Sequence, residues 1–250
     1  MAKPDRGQLA DKVALITGAS RGIGAAVARR FAAEGAHVVL VARTVGGIEE
    51  LDDAIRAEGG SATLVPLDLR DFVKIDELAA ALYQRYGRLD ILVGNAAEFG
   101  VFSPLGHIDP KIWGETIDLD LTANWRLIRA MDPLLRAAPA GRAIFVTSRL
   151  ARDALPYYGA YAVAKAGLET MVRIYAGEIA ARTAVRANLI DPGPVRTRLR
   201  AAIFPGENPA GLREPHSVTD AFVELAGPEC TRNGELITLK GGGDIDAGQA

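Results

Sequence analysis

Cysteine is almost missing from this chain of 250 residues: Cys230 stands alone, so no internal disulfide can form. Histidine is nearly as scarce, and His37, His107 and His216 have no spacing that would cluster them around a metal. Neither sign of charge dominates. A formal net charge of −2 gives no basic surface for a polyanion, and nucleic acid is not an expected partner. Long apolar runs are absent too, none approaching the roughly 18 residues of a membrane span, and the opening MAKPDRGQLADK is too polar for the core of a secretion signal. Together these absences predict a soluble protein of the reducing cytoplasm, with no metal and no membrane partner. What remains is a chain that is 49% hydrophobic, enough to bury a sizeable core.

Short apolar runs alternate with longer amphipathic stretches along the whole length. Strands are predicted at 13–17, 37–42, 62–66, 89–93, 142–147, 185–190 and 235–239, rich in Val, Ile and Leu as strands buried on both faces are. Helices are predicted at 23–34, 47–58, 71–86, 110–136, 157–182 and 218–225. This rhythm predicts an α/β fold: one doubly wound, seven-stranded parallel sheet with helices on both faces. No linker breaks it, so residues 1–250 read as a single domain. The segment 192–215, rich in Pro, Gly and Arg, reads as irregular and suits a lid over substrate.

Directly after the first strand comes Thr17-Gly18-Ala19-Ser20-Arg21-Gly22-Ile23-Gly24, opening into an Ala-rich helix. Glycines there allow close backbone approach, and a helix N-terminus offers unpaired N–H groups to a pyrophosphate. The strand–loop–helix setting makes this a dinucleotide cradle. A carboxylate at the end of the second strand would bind a ribose 2′-hydroxyl, but the chain reads Val41-Ala42-Arg43-Thr44. Arg43, with Arg21, suits a 2′-phosphate instead, so NADP(H) is expected over NAD(H). Asp68, after the third strand, suits either an adenine contact or a cap for the next helix; with Leu69 it is placed beside the adenine.

Tyr161 and Lys165 lie four apart in a helical stretch and so share a face. Ser148 ends the fifth strand, at the C-terminal edge of the sheet where such folds bind ligands. A phenol next to an ammonium can give up or take a proton, and a serine hydroxyl can steady a carbonyl oxygen. Ser148, Tyr161 and Lys165 are therefore the expected chemical centre of a hydride-transferring enzyme that acts on a small carbonyl or alcohol.

In these elements the chain resembles the short-chain dehydrogenase/reductase family, a Rossmann-fold group, over nearly its full length. The similar motifs are the TGxxxGIG cradle, Asp68, the Asn95-Ala96 pair, Ser148, the YxxxK pair and PGxxxT at Pro192, Gly193 and Thr197. The resemblance implies that Asn95 stabilises the sheet near the cofactor, that Lys165 also holds the nicotinamide ribose, and that Pro192, Gly193, Val195 and Thr197 lie at the nicotinamide. It also implies a homo-oligomer, a tetramer or dimer, packed through the helices at 110–136 and 157–182.

The departures are Gly94 and Ala97 flanking Asn95-Ala96 where the family reads Asn-Asn-Ala-Gly, and Asp120 at the fourth catalytic position, ordinarily an asparagine. An aspartate cannot donate as an amide does, which predicts slowed or pH-shifted turnover unless Asn124, one turn on, takes part of the role. Two alternatives stay open at this point: an NAD(H)-dependent enzyme of the same fold, and a catalytically weak nucleotide sensor or scaffold. Arg149, Arg152, Arg196, Arg198, Arg200 and Arg213 suit an anionic group on the substrate, or else are solvated or bound elsewhere. Trp113, Trp125, Tyr157 and Tyr158 read as packing or interface residues.

Overall fold

A computed structural model describes residues 7–239; the ends of the expected 1–250 domain lie outside them. From the N-terminus run β1 (Val13–Thr17), α1 (Gly22–Ala33), β2 (His37–Ala42), α2 (Val45–Ala57), β3 (Ser61–Pro66), α3 (Phe72–Tyr86) and β4 (Ile91–Gly94). The second half adds α4 (Pro110–Ile117), α5 (Ala123–Ala137), β5 (Arg142–Val146), α6 (Leu150–Asp153), α7 (Gly159–Ala180), β6 (Arg186–Asp191), α8 (Arg198–Ile203), α9 (Thr219–Ala226) and β7 (Leu236–Thr238). All seven strands pair in parallel in the order β3-β2-β1-β4-β5-β6-β7. The chain winds outward from β1 in both directions. The crevice between the C-terminal ends of β1 and β4 is the switch point where such sheets bind ligands.

Alternating residues of each strand feed two cores. On one face Leu15, Val39, Val41, Leu92 and Phe145 pack against α3, α5 and α7; on the other Ala14, Ile16, Val38, Leu40 and Val93 meet α1, α2 and α9. Burial on both faces is what the continuous apolar runs required.

Three features depart from the sequence reading. The helix expected at 110–136 is interrupted by a π turn at Asp118–Thr122. The extra residue in that turn rotates Asp120 inward, where it is fully buried. The helix expected from Tyr157 begins at Gly159, because Tyr157 adopts φ 74 and cannot belong to it. Finally, 192–215 is not wholly irregular: it contains α8, capped by the Thr197 hydroxyl, which accepts from the Arg200 amide at 3.0 Å. In addition, β3, β4, β5, β6 and β7 each have an end that differs from expectation by one or two residues.

Candidate active site

At the switch point lies a cleft of about 850 Å³. Its floor is built by Thr17, whose buried hydroxyl donates to the Val93 carbonyl at 3.2 Å and accepts from the amides of Asn95 and Ala96 at 2.9 and 3.1 Å. The Asn95 amide returns a bond to the Thr17 carbonyl at 2.9 Å, so β1 and β4 are laced together where the cradle begins.

Gly18, Ser20, Arg21, Gly22 and Ile23 line one end of the cleft. Gly18 takes φ +66, and an added Cβ would come within 2.9 Å of the Ala96 Cα. Gly24 does not reach the cleft surface. It packs beneath it, where a Cβ would lie 2.4 Å from the Gly18 carbonyl oxygen and 2.5 Å from the Asn95 amide nitrogen. The first turn of α1 has no side-chain cap, leaving its amides to an anion. Gly24→Ala is expected to cost about 1–3 kcal/mol of stability by overpacking and to weaken dinucleotide binding. Thermal unfolding with and without NADPH reads both effects, and an unchanged melting point would contradict this packing.

Arg43 and Thr44 extend the cleft beyond the cradle, and Arg21 donates to the Thr44 hydroxyl at 3.4 Å. Thr44, one residue past Arg43, is a cleft residue the sequence signalled only by its place just after β2. Arg43 lies 3.7 Å from Asp68, which also pairs with Arg70 at 3.0 Å. Arg70 reaches Glu98 as well, at 3.4 Å. Leu69 lies on the same wall, and Pro192, Gly193, Val195 and Thr197 close the opposite side. The residues present therefore fit a dinucleotide with a phosphate at its arginine end.

Ser148, Tyr161 and Lys165 all line the other half of the cleft. The Tyr161 hydroxyl lies beside the Ser148 side chain, which favours its ionised form, and the Lys165 ammonium nitrogen sits 5.7 Å from the centre of the tyrosine ring. Lys165 is 1% exposed and donates to the Val146 carbonyl at 3.1 Å. Its other neighbour is Asp120, with Nζ 3.7 Å from Oδ2.

Asp120 itself does not line the cleft: of the expected catalytic residues it alone lies beneath the surface, reaching the site through Lys165. Its Oδ1 accepts from the Glu98 amide at 2.9 Å, while Oδ2 has no hydrogen-bond donor. Burial pushes the Asp120 carboxyl up to about 7, against the pull of Lys165. Burial likewise lowers Lys165, opposed by Asp120. With Asp120 ionised the pair carries no net charge. Tyr161 is held above the ordinary phenol range, by burial first and by the Asp120 charge second, with Ser148 opposing.

Asn124 does not stand in for an asparagine at 120. Its amide donates to the Asp120 carbonyl at 2.9 Å, and its oxygen occupies the space above Gly94, 2.6 Å from where a Cβ would be. Gly94 is thus matched to Asn124, since any larger residue there would meet its side chain.

The family described as short chain dehydrogenase matches residues 12–208. The Escherichia coli K12 oxidoreductase YciK is 32% identical over 233 residues, 92% of each chain. Human dehydrogenase/reductase SDR family member 4 is 32% identical over 192 residues, 77% of this chain and 69% of that protein. Among solved structures, one described as a short chain dehydrogenase from Pseudomonas syringae superposes with a TM-score of 0.91 at 35% identity, covering 94% of this chain and 97% of that one. A Shigella flexneri short chain dehydrogenase complexed with NADP gives 0.89 at 31% identity, over 94% and 99%. One from Escherichia coli CFT073 complexed with NADPH gives 0.87 at 31%, again over 94% and 99%.

Proposed function

The chain belongs to the short-chain dehydrogenase family, and we propose that within it this protein is an NADP(H)-dependent oxidoreductase that interconverts a carbonyl and a secondary alcohol. The observation that carries the reading is the convergence of Ser148, Tyr161 and Lys165 on one cleft whose far end is the glycine cradle with Arg21 and Arg43. The NADP and NADPH complexes of the two structural neighbours support the choice of cofactor.

The α1 amides hold the pyrophosphate, Arg21, Arg43 and Thr44 the 2′-phosphate, and Asp68 and Leu69 flank the adenine. Lys165, with Pro192, Gly193, Val195 and Thr197, bounds the nicotinamide end. Bound there, NADPH supplies a hydride to the carbonyl carbon and is left as NADP⁺. Ser148 orients the carbonyl oxygen by donating to it. Tyr161 gives that oxygen its hydroxyl proton as the C=O π bond opens, and Lys165 with Asp120 beneath it returns a proton toward the phenolate. In the oxidative direction Tyr161 takes the alcohol proton instead. The segment 192–215, carrying α8, serves as the lid.

Arg43→Ala tests the cofactor assignment. It is expected to raise the Kd for NADPH by about 10- to 100-fold while leaving NADH within about twofold, as read by nicotinamide fluorescence. An unchanged preference would remove the phosphate role from Arg43.

No helix among the described residues is long and apolar enough to cross a membrane. The lone Cys230 suits a reducing cytoplasm. Trp125 on α5 and Val163 and Ile174 on α7 are each about half exposed, and they support a homo-oligomer packed through these helices. A monomeric mass in sedimentation would contradict that assembly.

A further inference from the structure

The substrate half of the cleft is built from rings. Phe99 and Phe102, in the loop after β4, and Phe204, just after α8, all line it. Tyr158 sits behind them, 8% exposed, with its ring centre 5.7 Å from Phe99, 5.2 Å from Phe102 and 5.6 Å from Phe204. Phe99 in turn meets the Tyr161 ring edge-on at 6.1 Å. The rings therefore reach the proton donor itself, and Leu150 and Ile203 fill the gaps between them. Tyr158 is the piece that couples the lid to the wall: it contacts rings from both.

The arginines around this half are already engaged. Arg200 lines the cleft, but its guanidinium grips Glu207 through Nε and Nη2 at 2.6 and 2.7 Å and stacks on Phe204 at 3.9 Å. Arg152 pairs with Glu169 and Asp191, Arg149 with Asp153, and Arg196 with Glu214. Arg213 donates to the Pro192 carbonyl. None of these four lines the cleft. Arg198 does, at the start of α8, next to Thr197, whose methyl lies against Gly22. Glu98 and Glu115 also line the cleft, and Glu98 pairs with Arg70 at 3.4 Å. A charged group carried in among these rings meets apolar surface, where the Arg200 guanidinium is already held by Glu207 and the Lys165 ammonium by Asp120.

We propose that the substrate is an uncharged carbonyl compound bearing an aromatic ring next to the reacting carbon, received between the Phe99–Phe102 wall and Phe204. The inference rests on the oxidoreductase reading above. Aromatic side chains in edge and offset contact offer the incoming ring the same geometry they adopt with one another. The polar contacts are confined to Ser148 and Tyr161 at the carbonyl oxygen, which is how a mostly apolar pocket fixes orientation.

Three ketones at saturating NADPH decide the matter: acetophenone, its para-carboxylate, and butanone. The proposal expects kcat/KM for acetophenone to exceed both others by at least about tenfold. It also expects Phe102→Ala, at a ring 56% exposed and so safe for folding, to narrow the acetophenone-to-butanone ratio by about fivefold or more. A carboxylate analogue that matches acetophenone, or a ratio indifferent to Phe102, overturns it. Calorimetric titration of the same compounds into the NADP⁺-loaded protein separates this from failure of the underlying reading. If no ketone consumes NADPH yet acetophenone binds ahead of its carboxylate, the pocket assignment stands and the reaction assignment falls. If the carboxylate binds as well or better, the pocket assignment falls whatever the turnover.

Discussion

Replacing Tyr161 by phenylalanine is expected to cut carbonyl reduction by about 10²- to 10⁴-fold while NADPH binding stays within about twofold of the parent. The change removes one oxygen and keeps the ring. That ring is 4% exposed and packed against Phe99, Leu150, Tyr158 and Ile203, so the cluster around it survives. What is lost is the proposed proton donor, the hydroxyl that lies beside Ser148 with Lys165 behind its ring. The loss falls on kcat, because the proton moves only in the transition state. Steady-state consumption of NADPH alongside a fluorescence titration measures both quantities. Turnover surviving within about tenfold would mean that the proton comes from elsewhere.

Asp120→Asn is expected to move the rising limb of alcohol oxidation toward acid by about 1 on the pH scale, and to raise the oxidation rate near neutrality by about tenfold. Oxidation needs the phenolate of Tyr161 as base. Above about pH 7 the carboxyl of Asp120 tends to its ionised form and cancels the charge of Lys165, so the phenolate loses its electrostatic support. Below that value Asp120 tends to hold its proton and the support returns, but the solution is then too acid for a phenol held above its usual range. An asparagine is neutral at every pH. With it Lys165 faces Tyr161 uncompensated, and the phenolate forms at lower pH. The sign is the informative part: desolvation of an unpaired Lys165 alone would drive the limb the other way, or leave it in place. A pH profile of kcat/KM for both proteins separates these cases, and an alkaline shift or no shift would mean that Asp120 acts by supporting Lys165 rather than by opposing Tyr161.

These two expectations rest on different parts of what the sequence revealed. The strands were legible because parallel strands covered on both faces must be continuously apolar, as in Val38-Val39-Leu40-Val41. The cradle was legible because its glycines sit between a strand and a helix, and Tyr161 and Lys165 because one helical turn separates them. Asp120 could be singled out by type but not placed: a π turn leaves no mark in residue spacing, and only that turn shows why the carboxyl points at Lys165. The role of the arginines stayed open in the sequence for a related reason. Arg152 is 39 residues from Asp191 and Arg200 is seven from Glu207, and neither pairing follows from composition. Tyr158 read as ordinary packing. Its importance comes from Phe99, Phe102 and Phe204 arriving at it from two distant loops, which the chain order conceals.

The loss of NADPH absorbance on adding an aryl ketone to the purified protein, run in parallel with NADH, tests the central claim most directly. The account predicts consumption of NADPH with a kcat/KM at least about tenfold above that with NADH, and its disappearance in Tyr161→Phe. NADPH that binds at the cradle but is consumed with no carbonyl, or consumption that persists without the Tyr161 hydroxyl, would contradict it.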